Sequence, residues 1–405
     1  MKYRNPNNKY LLTRFVLLIL VPLFVINGVA QDVPESGKKK KSPGNFRETF
    51  RDTLDNAFDI SRWITEMHGF LPLPTLSTEP ALGYGGNLAL VFFHPTRQSI
   101  DREGTGKQQL ALPSMSVAGG LYTANGTWAV YGGHYGSYLQ DRLRVALFSG
   151  WLNININFYL AGPMGNEHKL KFNFRSLPIF TSIAYRLGRS KWFGGVNYSL
   201  FHSDITLQTD VDIPKFDSLN MQSQLGGATI VLYLQDFDNS FTPNRGTKLT
   251  MKYGHNDTWL GSDYRYNTFN VEFLGFGNWW KPLVSGFRVQ AQGIYGDFPF
   301  YTRPFVSLRG IPSVRYQGDF VATLETEQRF NITSRWAVTG FVGFGVPFND
   351  WDELRMSNAK WAGGGGFRYL LARWFNMYMG IDVAKGPLSG DWAWYIILGS
   401  NWLGR

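Results

Sequence analysis

The chain has 405 residues, 44% hydrophobic and 16% aromatic, with 45 Gly, no Cys and a formal charge of +10. A mean hydropathy of -0.20 excludes a bundle of membrane helices, because each spanning helix needs about 20 nearly continuous apolar residues. The missing cysteines remove disulfides, thiolate metal sites and Cys nucleophiles. Much of the excess charge sits in Lys2, Arg4, Lys9, Arg14 and the run Lys38 to Lys41, which leaves no basic stripe for nucleic acid.

In chain order, residues 1–30 read as a secretory signal peptide. Basic residues come first, an apolar stretch follows from Phe15 to Ile26, and small residues close it at Gly28-Val29-Ala30. The alternative is a retained anchor. Residues 31–45 are charged and contain Pro and Gly, the composition of a disordered basic linker. Residues 46–78 are expected to be a periplasmic segment. Phe46, Phe50, Leu54 and Phe58 recur every four residues, which predicts a short amphipathic helix within 46–68. An extended stretch through Pro72 and Pro74 follows. Such a helix either docks on the periplasmic rim or inner leaflet, plugs the lumen, or frays as a tail; a Phe stripe with no core of its own favours the rim.

From residue 79 to 405 the period changes to two. Asn153, Asn155 and Asn157 alternate with Ile154, Ile156 and Phe158, Lys248, Thr250 and Lys252 alternate with Leu249, Met251 and Tyr253, and Arg288, Gln290 and Gln292 share a face. Alternation places successive side chains on opposite faces of a strand. The three Asn are expected in the lumen, with Ile154, Ile156 and Phe158 toward lipid. Connectors after Gly246 alternate between long (255–266, 296–319, 349–359, 385–391) and tight, as in an up-and-down barrel with short periplasmic turns. Eight strands follow Gly246, the last ending at Trp402, and seven precede it. An even number is the rule, so a further turn is expected inside 142–162 or 168–188. The fold class expected is all-β: a closed antiparallel transmembrane β-barrel of about 16 strands in the Gram-negative outer membrane.

Signatures of catalysis are missing. There is no H-E-x-x-H or G-x-S-x-G, and the six His are scattered without metal-ligand spacing. Gly104 to Lys107 lacks the full phosphate-loop spacing. No enzymatic activity, metal or cofactor is expected.

Two segments carry a more specific signal. The first is Asp236-Phe237-Asp238 followed by Pro243-Asn244-Arg245-Gly246; the second is Leu308-Arg309-Gly310 in the long loop. Together they resemble the BamA/TamA superfamily of outer-membrane assembly and translocation barrels, also called bacterial surface antigens. That family has a D-x-D…P-T-R-G turn before its ninth strand and a V-R-G-F/Y motif in its sixth outer loop. The strand spacing between the two motifs agrees, and Gly69 to Pro74 with Glu79 to Gly85 look like the family's barrel start. The resemblance therefore covers roughly residues 69–405. It implies that the loop enters the lumen and that Arg309 meets acids on the twelfth and thirteenth strands. Glu327, in Glu327-Gln328-Arg329, matches the first acid; Gly343 stands where the second is usual, which directs attention to Glu325, and Arg329 is grouped with the two acids as a lumen partner of Arg309. Residues 31–68 are too few for a POTRA domain, so the resemblance is to a compact POTRA-less member. It implies protein assembly or transport at the outer membrane, or an accessory role, by a monomeric barrel in contact with lipid and with assembly machinery. The alternative is a passive pore or a structural surface barrel.

Overall fold

The computed structural model describes residues 49–66, 71–77, 81–94, 99–101, 108–110, 114–161, 167–208, 220–239 and 241–403. The expected signal peptide, the linker, Phe46 and Gly104 to Lys107 lie outside them. One antiparallel sheet of sixteen strands, each paired with its sequence neighbour, curls into a nearly closed barrel. The strands are β1 (Leu71–Ser77), β2 (Gly85–His94), β3 (Ser114–Thr123), β4 (Trp128–Tyr138), β5 (Leu143–Ala161), β6 (Glu167–Arg186), β7 (Trp192–Gln208) and β8 (Asn220–Phe237). They continue as β9 (Gly246–Asn256), β10 (Tyr266–Trp280), β11 (Leu283–Gly296), β12 (Phe320–Asn331), β13 (Trp336–Phe348), β14 (Lys360–Ala372), β15 (Met377–Lys385) and β16 (Trp392–Leu398). Among the described residues no helix is long and apolar enough to cross a membrane; the crossing elements are strands.

The strand count is reached differently from the expectation. Neither 142–162 nor 168–188 hides a turn: β5 and β6 are single strands of 19 and 20 residues. The additional strand is β1, which starts at Leu71, ahead of the expected boundary at 79. Its two prolines and short length mask it as a linker. The last strand ends at Leu398 rather than Trp402, because Gly399 takes a φ of 75° and turns the chain.

Loop 297–319 lies at one end of the barrel with loops 257–265, 349–359 and 386–391, and tight turns occupy the other. Long loops mark the outer end of such barrels. The connection between β2 and β3 departs from this rule at the periplasmic end, where Ser99–Asp101 pairs with Gln108–Leu110.

Apolar side chains cover the outside: Val130, Ile183, Val196, Ile230, Trp279, Trp280, Val289 and Leu324 are all exposed. A continuous exposed apolar band is a lipid-facing surface. Inside, the two halves differ. The inner face of β2 to β8 is apolar, with Val117, Tyr131, Phe148, Phe174, Phe201 and Leu225 buried in one cluster with loop residues Tyr301, Phe305 and Val314. The inner face of β11 to β15 carries buried charge and amide: Arg288, Gln290, Glu325, Arg368 and Asp382.

The expected facing at 153–158 is reversed. Ile154, Ile156 and Phe158 point inward and are 1–3% exposed. Phe158 meets Phe300 of the long loop edge-on at 6.1 Å. The cause is height. Turn 124–127 ends the β3–β4 hairpin level with Asn153, since Trp128 pairs with Asn153. Above it β5 and β6 continue, with Lys171 and Arg175 exposed outward. There the outer face meets water and the inner face packs on a folded loop, as in a soluble sheet.

The N-terminal segment also departs from expectation. Residues 50–60 form a looped turn closed by an Arg51–Phe58 bridge, and the helix is α1 (Ser61–Glu66). Asp52 and Asp55 accept the backbone N–H groups of Leu54 and Ala57, and Asn56 has a φ of 55°. Such side-chain turns compete with helix. Phe50 and Phe58 do share a face, stacked 5.9 Å apart, while Leu54 is exposed.

Candidate functional site in the lumen and at the seam

Loop 297–319 folds into the barrel because β13 offers it a glycine surface. A Cβ on Gly343 would lie 2.6 Å from Leu308, and one on Gly345 would lie 2.3 Å from Val306. The glycine that departs from the family's acidic position is therefore where Leu308 seats itself. At the apex Gly310 has a φ of 93°, and a Cβ there would press on the backbone of Lys385 and Gly386. A side chain fits neither the conformation nor the space.

This path delivers Arg309 into the wall with 1% of its surface exposed. Its Nε and Nη2 donate to Glu325 Oε1 at 3.3 and 3.0 Å, and Nη1 donates to Asp382 Oδ2 at 2.7 Å. Glu327 approaches Nη1 to 2.7 Å as an ion pair without hydrogen-bond alignment. Beneath the guanidinium lies the Phe341 ring, 3.5 Å from its centroid. A buried guanidinium requires this number of carboxylates and this planar surface. Asp382 is held in turn by Arg368 at 2.5 and 2.9 Å. Arg288, on β11, donates to Glu272 at 2.9 Å and to the loop carbonyl of Ser307 at 3.2 Å.

Arg329, expected beside Arg309, is elsewhere. It donates to Asn244 and sits 5.0 Å over the Tyr378 ring. It thus belongs to the other motif, turn 238–245. In that turn Asp238 accepts the N–H groups of Asn244 and Arg245 at 3.0 and 3.2 Å. Gly246 has a φ of 114°, and a Cβ there would collide with the Asp236 carbonyl. Asp236 pairs at the surface with Lys191, the Arg245 side chain is exposed, and Pro243 is buried. The turn crosses the periplasmic mouth: Asn239 donates to Phe375 O at 2.9 Å, and Thr242 O accepts from Asn376 at 2.8 Å.

Residues 399–403 fill what the turn leaves. Ser400 N–H donates to Phe241 O at 2.7 Å. Trp402 packs among Phe237, Leu274 and Phe276 and donates Nε1 to Glu325 Oε2 at 2.8 Å. One carboxylate therefore joins the loop apex to the residues after β16. Asp382, Arg368 and Trp402 had no motif to mark them; an acid in Gly380-Ile381-Asp382, flanked by apolar residues, was the available signal for the first.

The seam between β1 and β16 is the last part. Among the described residues no ladder joins these strands, although they are neighbours. The reason is written in β1. Its ladder to β2 is unbroken from Leu71↔Val91 to Ser77↔Gly85. Pro72 and Pro74 have no N–H, so the donors of that ladder are the odd-numbered residues. The proline nitrogens then face the opposite edge, toward β16, as prolines in sheets must. At its outer end the seam is bridged by Tyr84 stacked on Trp394 at 5.8 Å. The loop holds β16 from inside: Gly310 N–H donates to Tyr395 OH at 2.9 Å, and Arg315 pairs with Asp391 at 2.7 Å.

No family model and no curated protein matches the chain. Solved structures do. BamA from Haemophilus ducreyi lacking POTRA domains 1–3 aligns at a TM-score of 0.53 and 11% identity, covering 87% of this chain and 81% of that one. CdiB from Escherichia coli aligns at 0.54 and 12%, covering 81% and 62%, and CdiB from Acinetobacter baumannii at 0.51 and 12%, covering 82% and 59%. In fold, the described residues form a sixteen-stranded antiparallel barrel similar to those of BamA and CdiB.

Proposed function

We propose that this barrel serves protein assembly or transport at the outer membrane, or acts as an accessory to assembly machinery, by opening sideways between β1 and β16. The observation that carries the reading is the seam edge of β1, where Pro72 and Pro74 withhold two donors from β16. An opening of this kind gives a client strand or a lipid a path between lumen and bilayer. The similarity of fold to BamA and CdiB supports the same reading.

The chain has no native cysteine, so a Tyr84→Cys/Trp394→Cys pair would be the only thiols present. Oxidation is expected to lock the seam and to abolish insertion of an outer-membrane client by the purified barrel in vesicles, with reduction restoring it. Undiminished insertion by the locked barrel would reject lateral opening. Steady ion conductance in a planar bilayer, unchanged by the lock, would favour a passive pore.

A further inference from the structure

On the lipid-facing side of β2, β3 and β4, four side chains form one hydrogen-bonded chain. His94 Nε2 lies 2.8 Å from Ser116 Oγ. Ser116 Oγ lies 2.9 Å from His134 Nδ1. His134 Nε2 lies 3.2 Å from Tyr138 OH. Tyr131 and Tyr135 are buried inward, so His134 and Tyr138 face outward by alternation. Ser116 pairs with His134 in the ladder and therefore shares that face. His94 ends β2 and Ser114 begins β3, which places the group toward the periplasmic leaflet.

From the chain of contacts and the side chains' hydrogen count we infer that Ser116 is a nucleophile toward the ester bonds of membrane glycerophospholipids, with His134 as its base. A hydroxyl has one proton. If His134 Nε2–H donates to Tyr138, then Nδ1 is unprotonated and accepts the Ser116 proton, while His94 Nε2–H donates to Oγ. A nucleophile in reach of a base, with that base oriented by a third group, is the arrangement that activates a hydroxyl. Tyr138 reaches His134 because residue 136 is glycine; a Cβ there would fall 2.3 Å from the Tyr138 ring.

The surface above the group suits an acyl chain. Ala118 pairs with Gly132 directly above Ser116 and His134, and Gly120 follows on the same face. Beyond them a shallow apolar cavity of about 480 Å³ is lined by Leu76, Gly86, Leu88, Gly120, Tyr122 and Val130. A lipid with its ester at Ser116 would lay its tail along this furrow toward the bilayer centre.

The step balances without a cofactor. Ser116 Oγ attacks the ester carbonyl carbon and its proton passes to His134 Nδ1. His94 Nε2–H, released from Oγ, donates to the carbonyl oxygen as charge develops there. The bond to the glycerol oxygen breaks and that oxygen takes the proton from His134. Water then attacks the acyl–Ser116 ester, His134 takes its proton and returns it to Oγ, and the fatty acid leaves.

The test uses the full chain in vesicles of phosphatidylethanolamine and phosphatidylglycerol, with a fluorophosphonate probe and mass spectrometry of released fatty acid. Ser116 is expected to be labelled and fatty acid released, both lost in Ser116→Ala. Release is expected to fall about 10²–10⁴-fold in His134→Gln, with heat-modifiable migration of both variants unchanged. No labelling by the folded barrel, labelling without release, or release that survives Ser116→Ala would each overturn the inference. These readouts are independent of the seam.

Discussion

Arg309 faces three carboxylates and a ring in a site closed to water. Removing one partner from a buried ionic cluster leaves the others uncompensated, a loss of about 3–5 kcal/mol. Arg309→Ala is therefore expected to lower the temperature at which the barrel loses its compact migration on gels. Arg309→Lys should recover only part of the loss, because an ammonium cannot donate in a fork to Glu325 while also reaching Asp382. Equal heat resistance of wild type and Arg309→Ala would show that loop seating is independent of this cluster. The family resemblance pointed to Arg309 and Glu327, and its departure at Gly343 pointed to Glu325. Asp382 and Trp402 stand 73 and 77 positions from their partners Arg309 and Glu325. Only the closed register brings them into the lumen, so no local pattern could reveal them. The same holds for His94, Ser116 and His134, which are assembled across three strands.

At the scale of elements, alternation made the strands legible but not their facing. Periodicity separates Ile154, Ile156 and Phe158 from the neighbouring Asn; it does not say which side is wet. Height above the bilayer decides that, and height depends on where turn 124–127 ends the neighbouring hairpin. The segment 50–60 failed as a helix for a local reason, since Asp52 and Asp55 turn back on the backbone. Those same acids dock the segment. Arg335 donates to Asp52, to Asp55 at 2.7 Å and to Asp59 at 2.6 Å, and Arg373 binds Asp52 and Asp55. Ile60 N–H donates to Leu371 O, and Tyr369 OH donates to Phe58 O at 2.7 Å. The Arg335 hydrogen bond holds the Asp55 carboxyl well below the ordinary value of 3.8. Burial opposes ionisation of Asp59, but hydrogen bonds from Ser61 and Arg335 outweigh it and lower that carboxyl too. Folded values below the free ones mean docking at full strength above about pH 4, lost as pH falls through the lowered values. Limited proteolysis should find 49–66 protected at neutral pH and progressively more readily cleaved as pH falls below about 4, with Arg335→Ala cleaved rapidly even at neutral pH. Rapid cleavage of wild type at neutral pH would contradict the docking.

For the whole molecule, the two ends of the barrel are closed by different means, the outer by the loop and the periplasmic by turn 238–245 with residues 399–403. Both closures meet at Glu325, and the loop also holds β16 through Tyr395 and Asp391. Among the described residues, the wall is thus secured by ladders between all neighbouring strands except β1 and β16, the interface that the closures brace from inside. Replacing Pro72 and Pro74 with Ala would return two N–H donors to the edge of β1 that faces β16. If the seam is weak for want of donors, each new hydrogen bond contributes about 0.5–1.5 kcal/mol. The double variant is then expected to keep compact migration to a higher temperature than wild type. Its insertion activity should fall, because the path through the seam now has to break those bonds. Backbone flexibility alone predicts the opposite sign, since Pro→Ala enlarges the unfolded ensemble and destabilises by about 0.4–1 kcal/mol at a compatible site. A lowered transition temperature with unchanged insertion would therefore mean that the prolines stiffen β1 without governing the seam.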